Sequence, residues 1–477
     1  MSRSLNLILV ILTLLQSVSG QDSFIRHYGY GSGQGFSLLI NTSGNFVIAG
    51  TKYQASNHQQ FCAYEINMLG DTVSLSYYGT DSLDQANQII QTLDGGYFLA
   101  GYTNGMFSSY RNIYLVRTTS SGDTIWSRSI GGQGEESADG VIQLNSGEFI
   151  ICGRTKYNSH GLFDFLLIKV DANGDTLWSR VIGGSENEEA KSIQHTSDGG
   201  LIIAGYTESY PVGSKNCFLV KTDMSGDTLW TRSYGGSAND YLHAVKQTSD
   251  GGYIMTGVTH SIGVSTENMY VIRANSIGDT LWTRSYGQVG RWSWGHDIIE
   301  TADGGFAITG LIRTASPNGG SDLYFVKVDA MGFVEWEHEF KIEPSNTSYT
   351  SSVGHSLLQT PDGGFAIAGR WFNGGTYEVL LIKTQADGTV GIGEMPNASG
   401  FEVFPNPFRD YSTLKFNNPT GEPFTMNLYS SSGQLVMTSA NIRADQYVIE
   451  RANLANGLYH VVLHSKSHNF SGRLMVE

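Results

Sequence analysis

The feature that most constrains the fold of this chain is an internal repeat of about 52 residues. A glycine-containing turn recurs seven times, and the residues that follow the turns lie 51, 52, 52, 52, 53 and 59 positions apart. These residues are Phe46, Tyr97, Phe149, Leu201, Tyr253, Phe306 and Phe365. Each unit contains four short runs rich in β-forming residues, which we name runs a to d. Four antiparallel strands repeated in this way predict a β-propeller.

The spacing within the units predicts which face of the propeller varies. The offset from the end of run a to a glycine in run b is 9 in all seven units, as from Thr92 to Gly101. The offset from the start of run c to the end of run d is 19 in six complete units. Length variation therefore falls in the b–c and d–a links, which share one face of a meander. We name it the variable face and expect binding there.

The seventh unit contains runs a, b and c, but no run d follows them. Residues 24–29, Phe-Ile-Arg-His-Tyr-Gly, match the run d sequence Trp-Thr-Arg-Ser-Tyr-Gly at 230–235. We therefore expect the N-terminal segment to supply the outer strand of the last blade, which removes open sheet edges. The predicted fold class is all-β, with a seven-bladed propeller at 22–388 closed by this N-terminal outer strand.

Residues 1–20 have the pattern of a secretory signal peptide. One early cation, Arg3, precedes an apolar stretch from Leu5 to Leu15, and the small residues Val18 and Gly20 follow. No later segment has about 18 consecutive apolar residues, so we expect no transmembrane segment. The expected location is secreted or on the outer cell surface.

Composition narrows the partners. Glycine accounts for 59 of 477 residues and charged residues for 15%, which favours many tight turns over disorder. The net charge of −15 excludes nucleic acid as an expected partner because phosphates would be repelled. The cysteines Cys62, Cys152 and Cys217 are odd in number and lie in apolar runs, which predicts buried free thiols. We expect a monomer.

Run d carries a tryptophan in five units, at Trp126, Trp178, Trp230, Trp282 and Trp336. With the Gly-Asp-Thr upstream, the pattern resembles the tryptophan-docking repeats of quinoprotein propellers and, more faintly, sialidase Asp-boxes. Both resemblances imply structural contacts between strands and blades. A quinoprotein-like oxidoreductase would be expected to have eight blades and an axial cofactor. Seven units are counted, so we expect no cofactor.

After a linker at 389–400, residues 401–477 contain further β-forming runs typical of a small β-sandwich. The module contains the motif residues Pro405, Asn406, Pro407, Gly433, Asn456, Gly457 and Tyr459. With these motifs it resembles the type A C-terminal sorting domain of the type IX secretion system. The resemblance implies that this secretion machinery is a partner and that the chain crosses the outer membrane of Bacteroidota-type bacteria. In that family the domain is usually cleaved and the body attached to surface lipopolysaccharide, although Glu477 departs from the usual basic ending.

Two features suggest a site on the variable face. Trp292, Trp294 and Trp371 lie outside run d, in expected loops of neighbouring blades. A second set stands five residues before the end of run a and should surround the mouth of the axial channel. Its members are Phe36, Asn87, Asp139, Lys191, His243, His296 and His355. Exposed aromatic rings beside polar groups suit glycan stacking or a protein contact. Alternatively, the tryptophans cover a blade and the histidines hydrogen-bond locally.

Four carboxylates form a further candidate set eight residues before the end of run a. They are Asp84, Glu136, Glu188 and Asp240. They could hold a cation or a basic ligand at the mouth. Their regular recurrence equally suits carboxylates that accept backbone N–H bonds within loops.

Metal and catalytic motifs give little support. The segment Asp171–Asp175 resembles the start of a calcium loop, but Ile182 occupies the position of the bidentate glutamate, so no metal is expected. Hydrolase, metalloprotease and phosphate-loop motifs are absent from the sequence. We therefore expect a non-catalytic binding or adhesion protein whose ligand is a glycan or a protein. The alternative is a secreted polysaccharide hydrolase or lyase that uses Asp139, His296 or His355 on the same face.

Overall fold

The computed structural model describes residues 23–29, 33–53, 58–80, 82–104, 110–210, 214–314, 320–342, 350–390, 401–404, 406–416, 418, 421–430, 435–465 and 469–476. Regular structure in these residues is entirely β-strand, which confirms the all-β class. Within the described residues, no helix is long and apolar enough to cross a membrane.

The repeats form strands joined by short turns and loops. The first two units and the N-terminal segment contain β1 (Phe24–Tyr28), β2 (Gly33–Ile40), β3 (Phe46–Tyr53), β4 (Gln59–Ile66), β5 (Thr72–Tyr78), β6 (Leu83–Gln91), β7 (Tyr97–Asn104), β8 (Arg111–Thr118) and β9 (Thr124–Ile130). The next three contain β10 (Glu136–Gln143), β11 (Phe149–Thr155), β12 (Asp164–Val170), β13 (Thr176–Ile182), β14 (Glu188–His195), β15 (Leu201–Thr207), β16 (Asn216–Thr222), β17 (Thr228–Tyr234), β18 (Asp240–Gln247), β19 (Tyr253–Thr259), β20 (Asn268–Ala274) and β21 (Thr280–Tyr286). The last two contain β22 (Arg291–Glu300), β23 (Phe306–Thr314), β24 (Ser321–Val328), β25 (Val334–Phe340), β26 (Ser351–Gln359), β27 (Phe365–Phe372) and β28 (Tyr377–Thr384).

Each unit is an antiparallel meander in which runs a, b, c and d are neighbouring strands. The first two units join through one parallel bridge between Gln59 and Leu83. The N-terminal strand β1 pairs antiparallel with β28, from Phe24 opposite Lys383 to Tyr28 opposite Val379. These four-stranded sheets are the blades of a propeller-type fold.

Five of the seven a–b turns hold an aspartate against a basic side chain of run c. In the second unit, Asp94 accepts a hydrogen bond from Thr92 Oγ1 at 2.7 Å and is held by the buried Arg117 of run c. Hydrogen bonds from Arg117 lower the pKa of Asp94 to about 2. In the first unit the turn has no aspartate, and the run c position is Glu65, which accepts bonds from Asn41 and Asn45 at 2.8 Å. The side chain that run c places against the turn is therefore basic where the turn has an aspartate and acidic where it has asparagines.

The run d tryptophans contact the next unit, as expected of scaffold residues. Trp126 Nε1 donates to Ala172 O at 3.0 Å, and its ring lies so close to Gly174 that an added Cβ would approach it to 2.8 Å. In β1 the equivalent residue is Phe24, which lies against Gly70 of the first unit. Tyr28 Oη donates to Gly70 O at 2.9 Å. The same kind of contact therefore joins the last unit to the first.

Apolar cores lie between neighbouring sheets. One core combines Phe24, Tyr28 and Leu381 of the last unit with Phe46 and Tyr64 of the first. The predicted free thiols are confirmed, because all three cysteines are buried and unbridged. Burial raises the pKa of the first of them, in β4, to about 12, so this thiol stays protonated.

The C-terminal module contains two sheets. Their strands are β29 (Phe401–Phe404), β30 (Tyr411–Phe416), β31 (Phe424–Ser430), β32 (Leu435–Ile442), β33 (Gln446–Glu450), β34 (Gly457–His464) and β35 (Asn469–Val476). One sheet has the order β29–β30–β33 and the other the order β32–β31–β34–β35. Their buried core includes Phe416, Phe424, Leu428, Val461 and Leu474. This arrangement matches the expected β-sandwich.

Candidate functional site

The seven predicted mouth residues occupy equivalent backbone positions. In every unit the register between runs a and b shifts at this residue, so each one is the extra residue of a β-bulge. A bulge turns its side chain away from the regular alternation of the strand. All seven side chains are half-buried. The seven residues therefore occupy the same bulge position in their units, and we name them together the mouth ring.

One side of the mouth ring is a stack of imidazoles. The rings of His243 and His296 are 5.3 Å apart, those of His296 and His355 are 4.9 Å apart and stacked, and Phe36 lies 5.1 Å from His355. Nδ1 of His243 lies 2.8 Å from Gly295 O, which fixes this nitrogen as a donor. Nδ1 of His296 makes the same contact with the next unit, at 2.9 Å.

Burial keeps this stack neutral. It lowers the pKa of His243 to about 4 and that of His296 to about 3, and it lowers the pKa of His355 well below its usual value. The neighbouring imidazoles add to the effect on His296 and His355. Nε2 of His355 is buried and has no hydrogen-bond partner in the described residues. At neutral pH the three rings are uncharged aromatic and polar surface.

The other side of the mouth ring is charged. Lys191 Nζ lies 2.9 Å from Glu189 and 3.4 Å from Asp139, and Arg154 also contacts Glu189. Burial by itself would raise the pKa of Glu189, but Lys191 and Arg154 outweigh it and lower the pKa to about 2. The amide of Asn87 donates to a carbonyl of the next unit. Two acids and two bases thus form a compensated network.

Trp371 does not lie in a loop, and its predicted exposure is wrong. Trp371 stands two residues after the glycine of run b, a position that belongs to the strand in every unit, so it lies in β27 and points inward with 6% of its surface exposed. Its Nε1 donates to Ile342 O at 2.9 Å, and its ring lies 4.7 Å from His27. Trp371 is a core residue.

Trp292 and Trp294 also belong to a strand, β22, but they remain half-buried at the variable face. The guanidinium of Arg313 lies 4.4 Å from the Trp292 ring and 5.8 Å from the Trp294 ring. Trp294 Nε1 donates to Glu267 at 2.5 Å, and its ring contacts His296 at 6.4 Å. Trp294 therefore connects the mouth ring with the surface around it.

The four acids do not form an accessible mouth. Asp84, Glu188 and Asp240 have no exposed surface, and Glu136 is buried as well. Glu188 accepts bonds from the backbone N–H groups of Gly184 at 2.7 Å and Ser209 at 3.1 Å. The expectation of an exposed acidic cluster is corrected, because these carboxylates fix the d–a and b–c loops.

A further feature of the variable face was missed in the sequence. Its strand ends and loops carry exposed tyrosines, and basic side chains lie over aromatic rings in six of the seven units. The exposed rings are Tyr53, Tyr77, Tyr110, Tyr157, Tyr210 and Tyr377. The base–ring pairs are Lys52–Tyr77, Arg111–Tyr102, Arg154–Phe163 with Lys156, Lys215–Tyr206, Arg313–Trp292 and Arg370–Tyr377. We name these residues together the crown.

The crown surrounds the mouth ring with preformed platforms. Tyr210 illustrates this, since its hydroxyl donates to Gly183 O at 3.0 Å and its ring stacks on Phe218 at 5.7 Å. An aromatic ring held in this way binds a ligand without losing much side-chain freedom. Among the described residues, no group of three or more His, Cys, Asp and Glu side chains is placed to hold a metal ion.

In the C-terminal module the sorting-motif residues join strands and turns. Asn406 Oδ1 accepts a bond from Met475 N at 2.8 Å, and Asn456 Oδ1 accepts one from Arg451 at 2.6 Å. Tyr459 Oη donates to Ala455 O at 2.9 Å. Pro407 lies between Asn406 and β30. Gly457 is the first residue of β34 and has a φ of +146°. Pro405 and Gly433 lie outside the described residues.

Comparison with known families decides the identity of this module. Residues 402–477 match the family of secretion system C-terminal sorting domains. The C-terminal module is a type IX sorting domain. The sorting domain indicates export by the type IX system to the cell surface or the extracellular space, and this machinery is therefore a partner.

Comparisons with the remaining chain are weaker. The regulatory protein FlaEY of Caulobacter vibrioides is 28% identical over 131 residues, an alignment that spans 24% of this chain and 14% of FlaEY. A puromycin hydrolase structure is 12% identical, with a TM-score of 0.49 over 82% of this chain and 59% of that one. Drosophila Semaphorin 1b is 7% identical, with a TM-score of 0.40 over 76% of this chain and 86% of that one. No activity is transferred from these similarities.

Proposed function

We propose that residues 22–388 form a closed seven-bladed propeller that acts as a non-catalytic binding or adhesion module outside the cell. The ligand, a glycan or a protein, binds on the variable face. Residues 1–20 serve as the signal peptide for the first export step, and the sorting domain at 401–477 serves the second, with 389–400 as the linker between the domains. The signal peptide lies outside the described residues.

Three contacts between the two ends of the repeat array support the closed ring. Strand β1 completes the sheet of the seventh unit. Phe24 takes the place of a docking tryptophan against the first unit. On the innermost strands, Leu38 N donates to Ser356 Oγ at 3.2 Å, and Ile89 N donates to Ser37 Oγ at 3.3 Å in the same way. The junction of last and first units thus repeats the contacts between successive units.

The distribution of exposed aromatic rings carries the proposal of binding. Within the described part of 23–390, six exposed tyrosines lie at the variable face, whereas the opposite turns expose one aromatic ring, that of Phe333. Exposed aromatic side chains are costly in a monomer and are enriched at sites of recognition. Concentration on the face with variable links favours a ligand there over random exposure.

The state of the mouth ring favours binding over catalysis. A glycosidase needs a pair of carboxyl groups, one of which can donate a proton. Asp139 is paired with Lys191, and His243 and His296 use Nδ1 on backbone carbonyls. These residues are committed to holding neighbouring blades together. A polysaccharide hydrolase or lyase remains the second outcome of the test below.

The test is a screen of the full chain, purified from the medium, on glycan and surface-protein arrays. We expect retention of at least one ligand, and at least about tenfold weaker retention after Tyr157→Ala with Tyr210→Ala, because two platforms are removed. Leu229→Ala is the matched control, since Leu229 is 60% exposed but lies on an outer strand. Equal retention of all three proteins would contradict the proposal. Reducing ends or unsaturated sugars released from a polysaccharide panel would favour the enzyme.

A further inference from the structure

The crown combines two kinds of group at each contact. The guanidinium of Arg111 lies 4.0 Å from the centre of the Tyr102 ring, and the Lys215 ammonium lies 4.6 Å from that of Tyr206. Corresponding distances are 4.4 Å for Arg313 over Trp292 and 5.2 Å for Arg370 over Tyr377. Such pairs orient the base but leave its hydrogen-bond donors available at the edge of the ring.

Several of these bases have no acidic partner. Among the described residues, no carboxylate lies within ion-pair distance of Arg111, Lys156 or Arg313. Arg111 donates to the neutral side chain of Asn104 at 3.3 Å. Lys156 is exposed, and Nε of Arg313 is buried without a hydrogen-bond partner. The surface therefore carries positive charge that the protein itself does not neutralise.

Basic side chains without an acidic partner are unexpected in a chain that has an excess of acids. The whole protein has a formal net charge of −15. On the opposite face, acids crowd the c–d turns, as with Asp223 and Asp227, and Asp227 is 67% exposed although Arg180 contacts it at 3.2 Å. Both faces carry acids, so the unpaired bases of the crown are local positions at which an anion is attracted.

The repetition of the crown indicates the form of the anion. Six of the seven units offer an aromatic ring and a cation side by side, at intervals set by the blades. A small anion needs one such position, and a protein interface has a core depleted of charge. A polymer that repeats a flat sugar surface and a carboxylate or sulfate in every residue satisfies several positions at once.

We propose that the crown binds an acidic polysaccharide, with sugar faces on its aromatic rings and carboxylate or sulfate groups on Arg111, Lys156 and Arg313. The inference rests on the proposed binding function and specifies its ligand class. Bidentate contacts from arginine explain recognition of planar carboxylates, while the lysine acts as a point charge. Because the contacts are charge-assisted and exposed, binding depends strongly on ionic strength.

The experiment uses affinity electrophoresis and calorimetry of the full chain with a polyuronate, a sulfated polysaccharide, neutral dextran and polyglutamate. We expect binding to at least one of the two acidic polysaccharides, none to dextran, and at least tenfold weaker binding at about 0.5 M salt than at about 0.05 M. The uronate and sulfate arms distinguish the two anionic groups. Binding of dextran or polyglutamate as tight as that of the acidic polysaccharides would overturn the ligand class.

Paired variants locate the site. Arg111→Gln with Arg313→Gln should weaken binding at least tenfold, and the matched control Arg180→Gln should leave it unchanged. Arg180 lies over Trp178 at 5.5 Å, so it has the same kind of contact on an outer strand. Equal loss in both proteins, or binding insensitive to salt, would overturn the inference. Retention of a neutral glycan or a protein that depends on Tyr157 and Tyr210 would contradict this inference alone, and an absence of any ligand would contradict the proposed function too.

Discussion

The two faces of the propeller solve different problems with the same strands. On the turn face, five of the seven units repeat the same kind of acid–base pair, such as Asp198 with the buried Lys221, and five carry a docking tryptophan, such as Trp178 on Gly226. On the variable face, the contacts differ from unit to unit, as in the crown, where Arg111 lies over Tyr102 in one unit and Arg313 over Trp292 in another. Repetition marks residues that hold blades together, whereas variation marks residues released from that task.

The largest expected effect tests the reassignment of Trp371 from surface to core. Trp371→Ala removes a buried ring and should lower the free energy of unfolding by about 3–5 kcal/mol. Trp292→Ala should lower it clearly less, because Trp292 is half-buried and its ring lies against the guanidinium of Arg313. Urea unfolding followed by tryptophan fluorescence measures both. Equal losses of unfolding free energy would mean that Trp292 is as much a core residue as Trp371.

A glycine on each face gives the next comparison. Gly226 has φ +79°, and an added Cβ would lie 3.0 Å from Trp178, whereas Gly290 has φ +73° and open space around it. Left-handed backbone costs an alanine roughly 1–2 kcal/mol at either position. Gly226→Ala should therefore destabilise more than Gly290→Ala, and the difference in unfolding free energy measures the contact with the side chains of Trp178 and Arg180. A larger loss at Gly290 would contradict this view of the turn face.

The histidine stack predicts a pH dependence. The pKa values of His243 and His296 are lowered by burial to about 4 and about 3, so the folded state binds fewer protons than the unfolded state below about pH 6.5. Stability is therefore complete above pH 6.5 and falls as the pH drops toward 4. Turn aspartates such as Asp250, whose pKa is about 2, lose their contribution only below about pH 4.

Thermal unfolding between pH 7.5 and 4 separates these two groups. His296→Gln should flatten the decline between pH 6.5 and 4, whereas His195→Gln, a change at an exposed histidine, should leave the profile as it is. A melting temperature that stays constant down to pH 4 in the unaltered protein would show that the stack does not oppose protonation.

Much of this structure could be predicted from spacing. The mouth-ring residues could be predicted from their position five residues before the end of run a, because the β-bulge recurs at that position in every blade. Trp371 was misplaced because run b of the seventh unit was ended at its glycine. The position two residues after this glycine lies in the strand in every unit, as Thr155 and Thr207 show in β11 and β15. The crown was missed for another reason. Tyr102 and Arg111 belong to different strands, and their contact appears only when the strands pair.

The smallest expected effect is on Lys156, and it sharpens the contrast between the faces. Lys156 is exposed, so Lys156→Gln should change the free energy of unfolding by less than about 0.5 kcal/mol. Lys221 is buried and donates to Thr196 and Asp198 at 3.0 Å each, so Lys221→Gln should cost about 1–3 kcal/mol. Chemical unfolding of both variants, with polyuronate binding measured in parallel, separates the roles. We expect Lys221→Gln to lower the free energy of unfolding and Lys156→Gln to weaken the binding of polyuronate. Loss of both properties in Lys156→Gln would mean that the variable face shares the structural task of the turns.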